Sequence, residues 1–156
     1  MKYKIVAVGK LKEAYLREAC AEYVKRLSRF GEVKVEEAEE CLFNGVPSGA
    51  EIAKIIAAEG KEILRRAEGA IIALDVEGKT LSSPQIAESI DKLLLQSSVI
   101  TVAIGGSYGL SDEVKNAAAL RLSFGRITLP HQLCRVVALE QLYRAETIRK
   151  NIPYHK

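Results

Sequence analysis

No apolar run in the 156-residue chain approaches the ~18 residues that a membrane-spanning helix requires. Nor is a secretory leader expected. The opening MKYKIVAVGKLKEAY reads as a strand and a charged helix, without the longer apolar stretch and small-residue cleavage site of export signals. The expectation is a cytoplasmic protein with no membrane partner. Cysteine is scarce: Cys20, Cys41 and Cys134 are widely spaced and odd in number, with no CxxC pair. Only two histidines are available to assist a metal, so reduced, packed thiols and no metal site are expected. Internal repeats and low-complexity linkers are absent as well.

What remains is the composition of a globular protein, 48% apolar and 28% charged. The length suits one domain, residues 1–156, large enough for a substantial core. A net charge of +3 hides an uneven distribution. Residues 1–34 hold nine Lys and Arg against four Asp and Glu, and residues 121–156 hold seven against two. Residues 35–77 reverse the balance, with four against ten. Basic ends around an acidic middle imply a bipolar surface able to meet phosphate on one side.

Apolar β-branched runs alternate with helical periodicity. Tyr3–Val8, Val33–Ala38, Ala70–Leu74 and Val99–Ile104 read as strands. Helices are predicted over Lys12–Arg29, from Ser48 to about Arg66, over 84–96, from about Ser111 to Ala118, and from Gln132 to about Lys150. Ser48 with Glu51 has the spacing of a capping box, and Ser82 or Ser83 can cap the helix that Pro84 enters. Glu39–Pro47 and Asp75–Lys79 read as loops, while Leu120–Phe124 stays open between strand and irregular chain. Strands alternating with helices predict an α/β fold, a mostly parallel sheet covered on both faces. Ligands of such sheets bind beyond the carboxyl ends of the strands, where Asp75–Lys79 and Gly105–Leu110 should lie.

Three stretches carry chemistry. Gly105-Gly106-Ser107-Tyr108-Gly109 follows a buried strand and allows a ligand close to the backbone. Its GGxxG pattern matches neither the dinucleotide fingerprint nor the P-loop. Gly125-Arg126-Ile127-Thr128-Leu129-Pro130 leads into the last helix, whose free N–H groups suit polar ligand atoms. That helix is apolar on more than one side (Leu133, Val136, Val137, Leu139, Leu142, Tyr143), which calls for burial inside the chain or against a second copy. Glu140 and Arg144 sit four apart in the favourable order for an ion pair. At the tip, Tyr154 can stack on a base and His155 can move a proton near neutrality.

Taken in order, Ala73-Leu74-Asp75 with Gly78-Lys79, Ile104-Gly105-Gly106, Gly109-Leu110-Ser111, Thr128-Leu129-Pro130-His131, Arg135-Val136, Glu140 to Ala145 and Pro153-Tyr154-His155 resemble one family closely. It is the ribosomal RNA large subunit methyltransferase H family of the SPOUT superfamily, and the resemblance runs over the whole chain. The resemblance implies a single SPOUT methyltransferase domain with a C-terminal trefoil knot, against the general rule that chains are unknotted. It implies S-adenosyl-L-methionine as methyl donor, no metal, and a homodimer. The implied reaction is methylation of N3 of pseudouridine1915 in 23S rRNA, on the assembled 70S ribosome. Carried over by motif, cofactor contacts fall on Leu74, Gly106, Gly125, Arg126, Ile127, Thr128, Leu129 and Pro130. Arg144, Tyr154 and His155 are the implied catalytic residues. The rival expectation is a non-catalytic ribosome- or rRNA-binding protein, which the basic ends would serve equally well.

Overall fold

The centre of the molecule is set by its two most apolar strands. The computed structural model, which describes residues 1–156, places β1 (Lys2–Val8) beside β4 (Val99–Ile104). Every residue of each after its first is buried. Burial on both faces is what a continuous apolar run requires, and a parallel sheet supplies it. Around this pair lie β2 (Glu32–Ala38), β3 (Ala70–Thr80) and β5 (Leu120–Ser123), giving one five-stranded sheet in the order β2-β1-β4-β3-β5. All neighbouring strands are parallel.

Alternate side chains divide the core into two layers. Ile5, Ile100 and Val102 face α1 (Ala14–Leu27), α3 (Ser83–Leu94) and α5 (His131–Arg149). Val6, Val8 and Ala103 face α2 (Gly49–Arg66) and α4 (Asp112–Ala117). No helix is long and apolar enough to cross a membrane. The capping boxes form as the spacing predicts, Ser48 with Glu51 on α2 and Ser82 with Gln85 on α3. Two buried polar groups brace the sheet. Lys4 reaches Glu68 at 2.6 Å and Glu36 at 3.2 Å, and the Tyr3 hydroxyl donates to Glu146 at 2.5 Å. Arg149 then joins Glu146 to Asp91, so the end of α5 is tied to both β1 and α3.

One expectation needs correction and one open segment is resolved. Asp75–Lys79 is not a free loop: it lies within β3, whose ladder to β5 slips so that Leu74 and Lys79 both face Leu122. The slip loops out the polar residues while the backbone stays paired on either side. Arg121 from β5 holds this bulge through Asp75. The open segment resolves into a strand, Leu120–Ser123, with Ile72 and Leu122 among the buried core. The last helix is central within the chain, packed on α1 and α3, although Leu133 stays 38% exposed and Val137 half-buried.

Candidate functional site

A parallel sheet sends all its carboxyl ends to one edge, and the chain is least regular there. The turn after β4 (Gly105–Gly109), the end of the first half of β3 (Leu74, Val76) and the approach to α5 (Thr128–His131) line one cleft of about 510 Å³. That volume lies within the ~300–1,000 Å³ usual for small-molecule sites. A narrower recess of about 100 Å³ continues from it, walled by Leu122, Phe124, Gly125 and Ile127 and sharing Leu74, Thr128 and Leu129.

Glycine shapes this edge at two points, by tight packing at one and by backbone conformation at the other. A methyl group on Gly106 would lie 3.0 Å from Val8 Cγ1 and 3.1 Å from Glu59 Oε1. Gly125 sits at φ +109°, a conformation other residues rarely adopt, and turns the chain from β5 towards α5. Cys134 lines both parts of the cleft, and burial pushes its thiol up to about 11, so it stays protonated near neutrality.

Of the eight positions expected to hold a cofactor, Leu74, Gly106, Gly125, Ile127, Thr128, Leu129 and Pro130 line this cleft or its recess. Arg126 does not. Sequence reasoning placed Asp75–Lys79 and the start of the last helix at the ligand edge, and Val76 and His131 do line the cleft, but it passed over Cys134. The position of Cys134 depends on the direction of α5, which periodicity does not report.

Arg144, Tyr154 and His155 come together elsewhere. The Arg144 guanidinium is held by Glu140 at 2.6 Å, stacks 4.6 Å from the Tyr154 ring and reaches His155 Nδ1 at 3.4 Å. Tyr154 packs edge-on against Tyr143 and donates its hydroxyl to Glu140 at 3.1 Å. Burial, with the Tyr23 hydroxyl and Glu140 beside it, pushes Tyr154 up to about 12, so this phenol is a donor and not a base. Ten residues of helix separate Cys134 at the cleft from Arg144, a rise of about 15 Å. Within one chain the tail cluster and the cleft are therefore separate constellations.

The α/β fold is shared with solved structures of other proteins. The profile of a family described as predicted SPOUT methyltransferase matches residues 1–155. The chain belongs to this SPOUT methyltransferase class, and within it to the ribosomal RNA large subunit methyltransferase H family. It is 46% identical over 159 residues to the ribosomal RNA large subunit methyltransferase H of Streptococcus pneumoniae, covering 100% of both chains. Among solved structures it resembles a methyltransferase from Legionella pneumophila in complex with bound SAM, at TM-score 0.52 and 16% identity. That match covers 93% of this chain and 66% of the other. A methylase family protein from Haemophilus influenzae gives TM-score 0.52 at 10% identity, over 96% of this chain and 66% of the other. The chain thus spans about two thirds of the length of these structures, and the likeness to them is one of fold.

Proposed function

We propose that the chain transfers a methyl group from S-adenosyl-L-methionine to N3 of pseudouridine1915 in 23S rRNA, on the assembled 70S ribosome in the cytoplasm. The observation that carries this reading is the convergence of Leu74, Gly106, Gly125 and the run from Ile127 to Pro130 on one cleft and its recess. These positions are far apart in sequence, and they are the ones the family resemblance assigns to the donor. The cleft suits it physically. Apolar walls at Leu122, Phe124 and Ile127 fit a flat purine, and the Gly106 backbone admits close approach. We place all 156 residues in a single domain whose C-terminal part is threaded as a trefoil knot.

The sulfonium of the donor supplies an already activated methyl group, so the protein's work is alignment and proton removal. Alignment of reacting groups is worth up to about 7–11 kcal/mol in favourable cases. In this reading Tyr154, braced by Tyr143, positions the base. Arg144 steadies phosphate or the anionic imide that develops as the N3 proton leaves. His155, or a water it orients, takes that proton.

A homodimer supplies the missing proximity. On α5, Leu133, Val137, Glu140 and Arg144 follow the spacing of one helix face, and Leu133 and Val137 leave apolar surface uncovered there. A two-fold partner crossing this face in the opposite direction would carry its tail cluster to the cleft end.

The test is transfer of labelled methyl groups to 70S ribosomes, separated subunits and free rRNA, with the modified nucleotide mapped. Methylation of pseudouridine N3 on 70S ribosomes is expected, and His155→Ala should slow it by about 10²–10⁴-fold while donor affinity holds. Ribosome binding without transfer would instead make the chain a non-catalytic rRNA-binding protein.

A further inference from the structure

Beside the tail cluster, the end of α1 lays a basic strip on the same side of the molecule. Tyr23 and Phe30 turn towards α5, their rings 6.4 Å and 6.1 Å from that of Tyr143. The Arg26 guanidinium lies 5.5 Å from the Tyr23 ring and 5.9 Å from the Tyr143 ring. Tyr143 packs on Tyr154 at 4.8 Å and Arg144 stacks on Tyr154, so two arginines adjoin one aromatic group. Arg29, in the turn that extends α1, donates its N–H to the Arg26 carbonyl at 3.3 Å. It follows Arg26 by three residues and Lys25 by four, so the three cations share one strip of helix surface.

Only one carboxylate pairs with this strip, Glu22 with Arg26 at 2.6 Å. That hydrogen bond holds the Glu22 carboxyl below its ordinary pKa, and the charges of Lys25 and Arg29 add to the effect. Lys25 and Arg29 are exposed, and neither enters an ion pair or a side-chain hydrogen bond. Glu140, at the tail, is likewise spent on Arg144. The carboxyl end of a helix favours cations, which lowers the cost of holding three together, yet two positive charges stay uncompensated. Free cations beside braced tyrosines fit a strand that carries both phosphates and flat bases better than they fit an acidic protein surface.

We propose that Lys25 and Arg29, joined to the tail cluster through Arg26, seat the phosphate backbone of the rRNA strand next to the target nucleotide. The inference rests on the reading that Arg144, Tyr154 and His155 meet the base in a methyl transfer to rRNA. It adds binding residues on α1 that touch no reacting atom, so their work is to hold the strand while the tail meets the base.

Steady-state methylation of 70S ribosomes over a range of salt tests this, comparing two full-length double variants. Lys25→Gln/Arg29→Gln removes the strip's free charges, and Lys54→Gln/Lys61→Gln removes two exposed, unpaired charges from α2 on the opposite face. In the first, KM for ribosomes should rise about tenfold while kcat and donor affinity hold. Its slope of log kcat/KM against log salt should be shallower by about 1.4–1.8, the loss of two phosphate contacts. The α2 variant should match the native chain, and so should Lys25→Arg/Arg29→Lys, which keeps both charges. Unchanged KM and slope in the first variant would overturn the proposal. A fall in kcat alone would do the same, since the strip would then only shape the tail, and so would an equal effect from the α2 pair. Weaker binding to 70S ribosomes without weaker binding to protein-free 23S rRNA would assign the strip to a ribosomal protein and overturn it too. A native chain that methylates no ribosome removes the reading of function and this inference with it. Native transfer that Lys25→Gln/Arg29→Gln reproduces in full removes this inference alone.

Discussion

Glu59 is buried against Gly106 with one carboxylate oxygen unpaired, and that placement has a cost in the free protein. Desolvation raises its pKa above the ordinary carboxylate value, the Cys41 N–H partly offsets this, and the charge of Glu40 adds to it. The folded chain therefore keeps a proton that the unfolded chain, with a glutamate pKa of about 4.3, gives up. Stability from this group is fully present below that value and is lost as pH rises through the raised one. Glu59→Gln cannot ionise, so its Tm should exceed that of the native chain at pH 7. A gap of order 1 kcal/mol, roughly 2–4 °C, is expected, and it should close as the pH falls towards 4. Thermal melts across that range measure it. A variant that melts lower at pH 7 would show the charged carboxylate to be stabilising. Such a residue is invisible in sequence, because its burial is fixed by the meeting of α2, the strand ends and the Gly106 turn. Gly106 was legible, since glycine after a buried strand has few other uses.

Among the elements, α3 rests most plainly on local chemistry. Ser82 accepts the Gln85 N–H and Gln85 returns a bond to the Ser82 N–H, and α3 buries Ile86, Ile90 and Leu93 beneath α5. Ser82→Ala removes one half of this box and should cost about 1 kcal/mol. The measurement is a lower urea midpoint with an unchanged slope. An unchanged midpoint would mean that water replaces the hydroxyl at no cost. Helix starts of this kind were readable because cap, spacing and Pro84 agree within a few residues. The second half of β3 was not. Asp75, Glu77, Gly78 and Lys79 carry loop chemistry, and only the slipped pairing of Leu74 and Lys79 with Leu122 keeps them in the ladder. That pairing comes from a strand some forty residues away in sequence, beyond the reach of any local pattern. The tail was half legible. Tyr154 and His155 stood out as chemistry, but their packing on Tyr143 and Arg144 shows where they rest in one chain, about 15 Å of helix from the cleft.

That separation makes the whole molecule's arrangement decisive for the proposed reaction. If catalysis needs the cleft of one copy and the tail of another, two different broken chains can repair each other. Gly106→Val fills the cleft wall against Val8 and Glu59, and His155→Ala removes the proposed base, so each alone should be nearly inactive. Random pairing of the two makes half the dimers mixed. In a mixed dimer with tails acting across the interface, one site receives an intact cleft and an intact tail, and the other receives neither. Activity should then recover to about a quarter of the native level after the variants are unfolded and refolded together. If each tail instead folds back on its own cleft, no mixed dimer holds a complete site and activity stays at the level of the separate variants. The bipolar charge pattern favours the first outcome. The basic ends of the chain, residues 1–34 and 121–156, contribute α1 and α5, which pack together and carry the tail cluster, while the acidic stretch contributes α2 on the opposite face. In the proposed reaction, RNA drawn to the basic side would meet Arg144 and His155 first, and a cleft borrowed from a partner would bring the methyl donor to that same side.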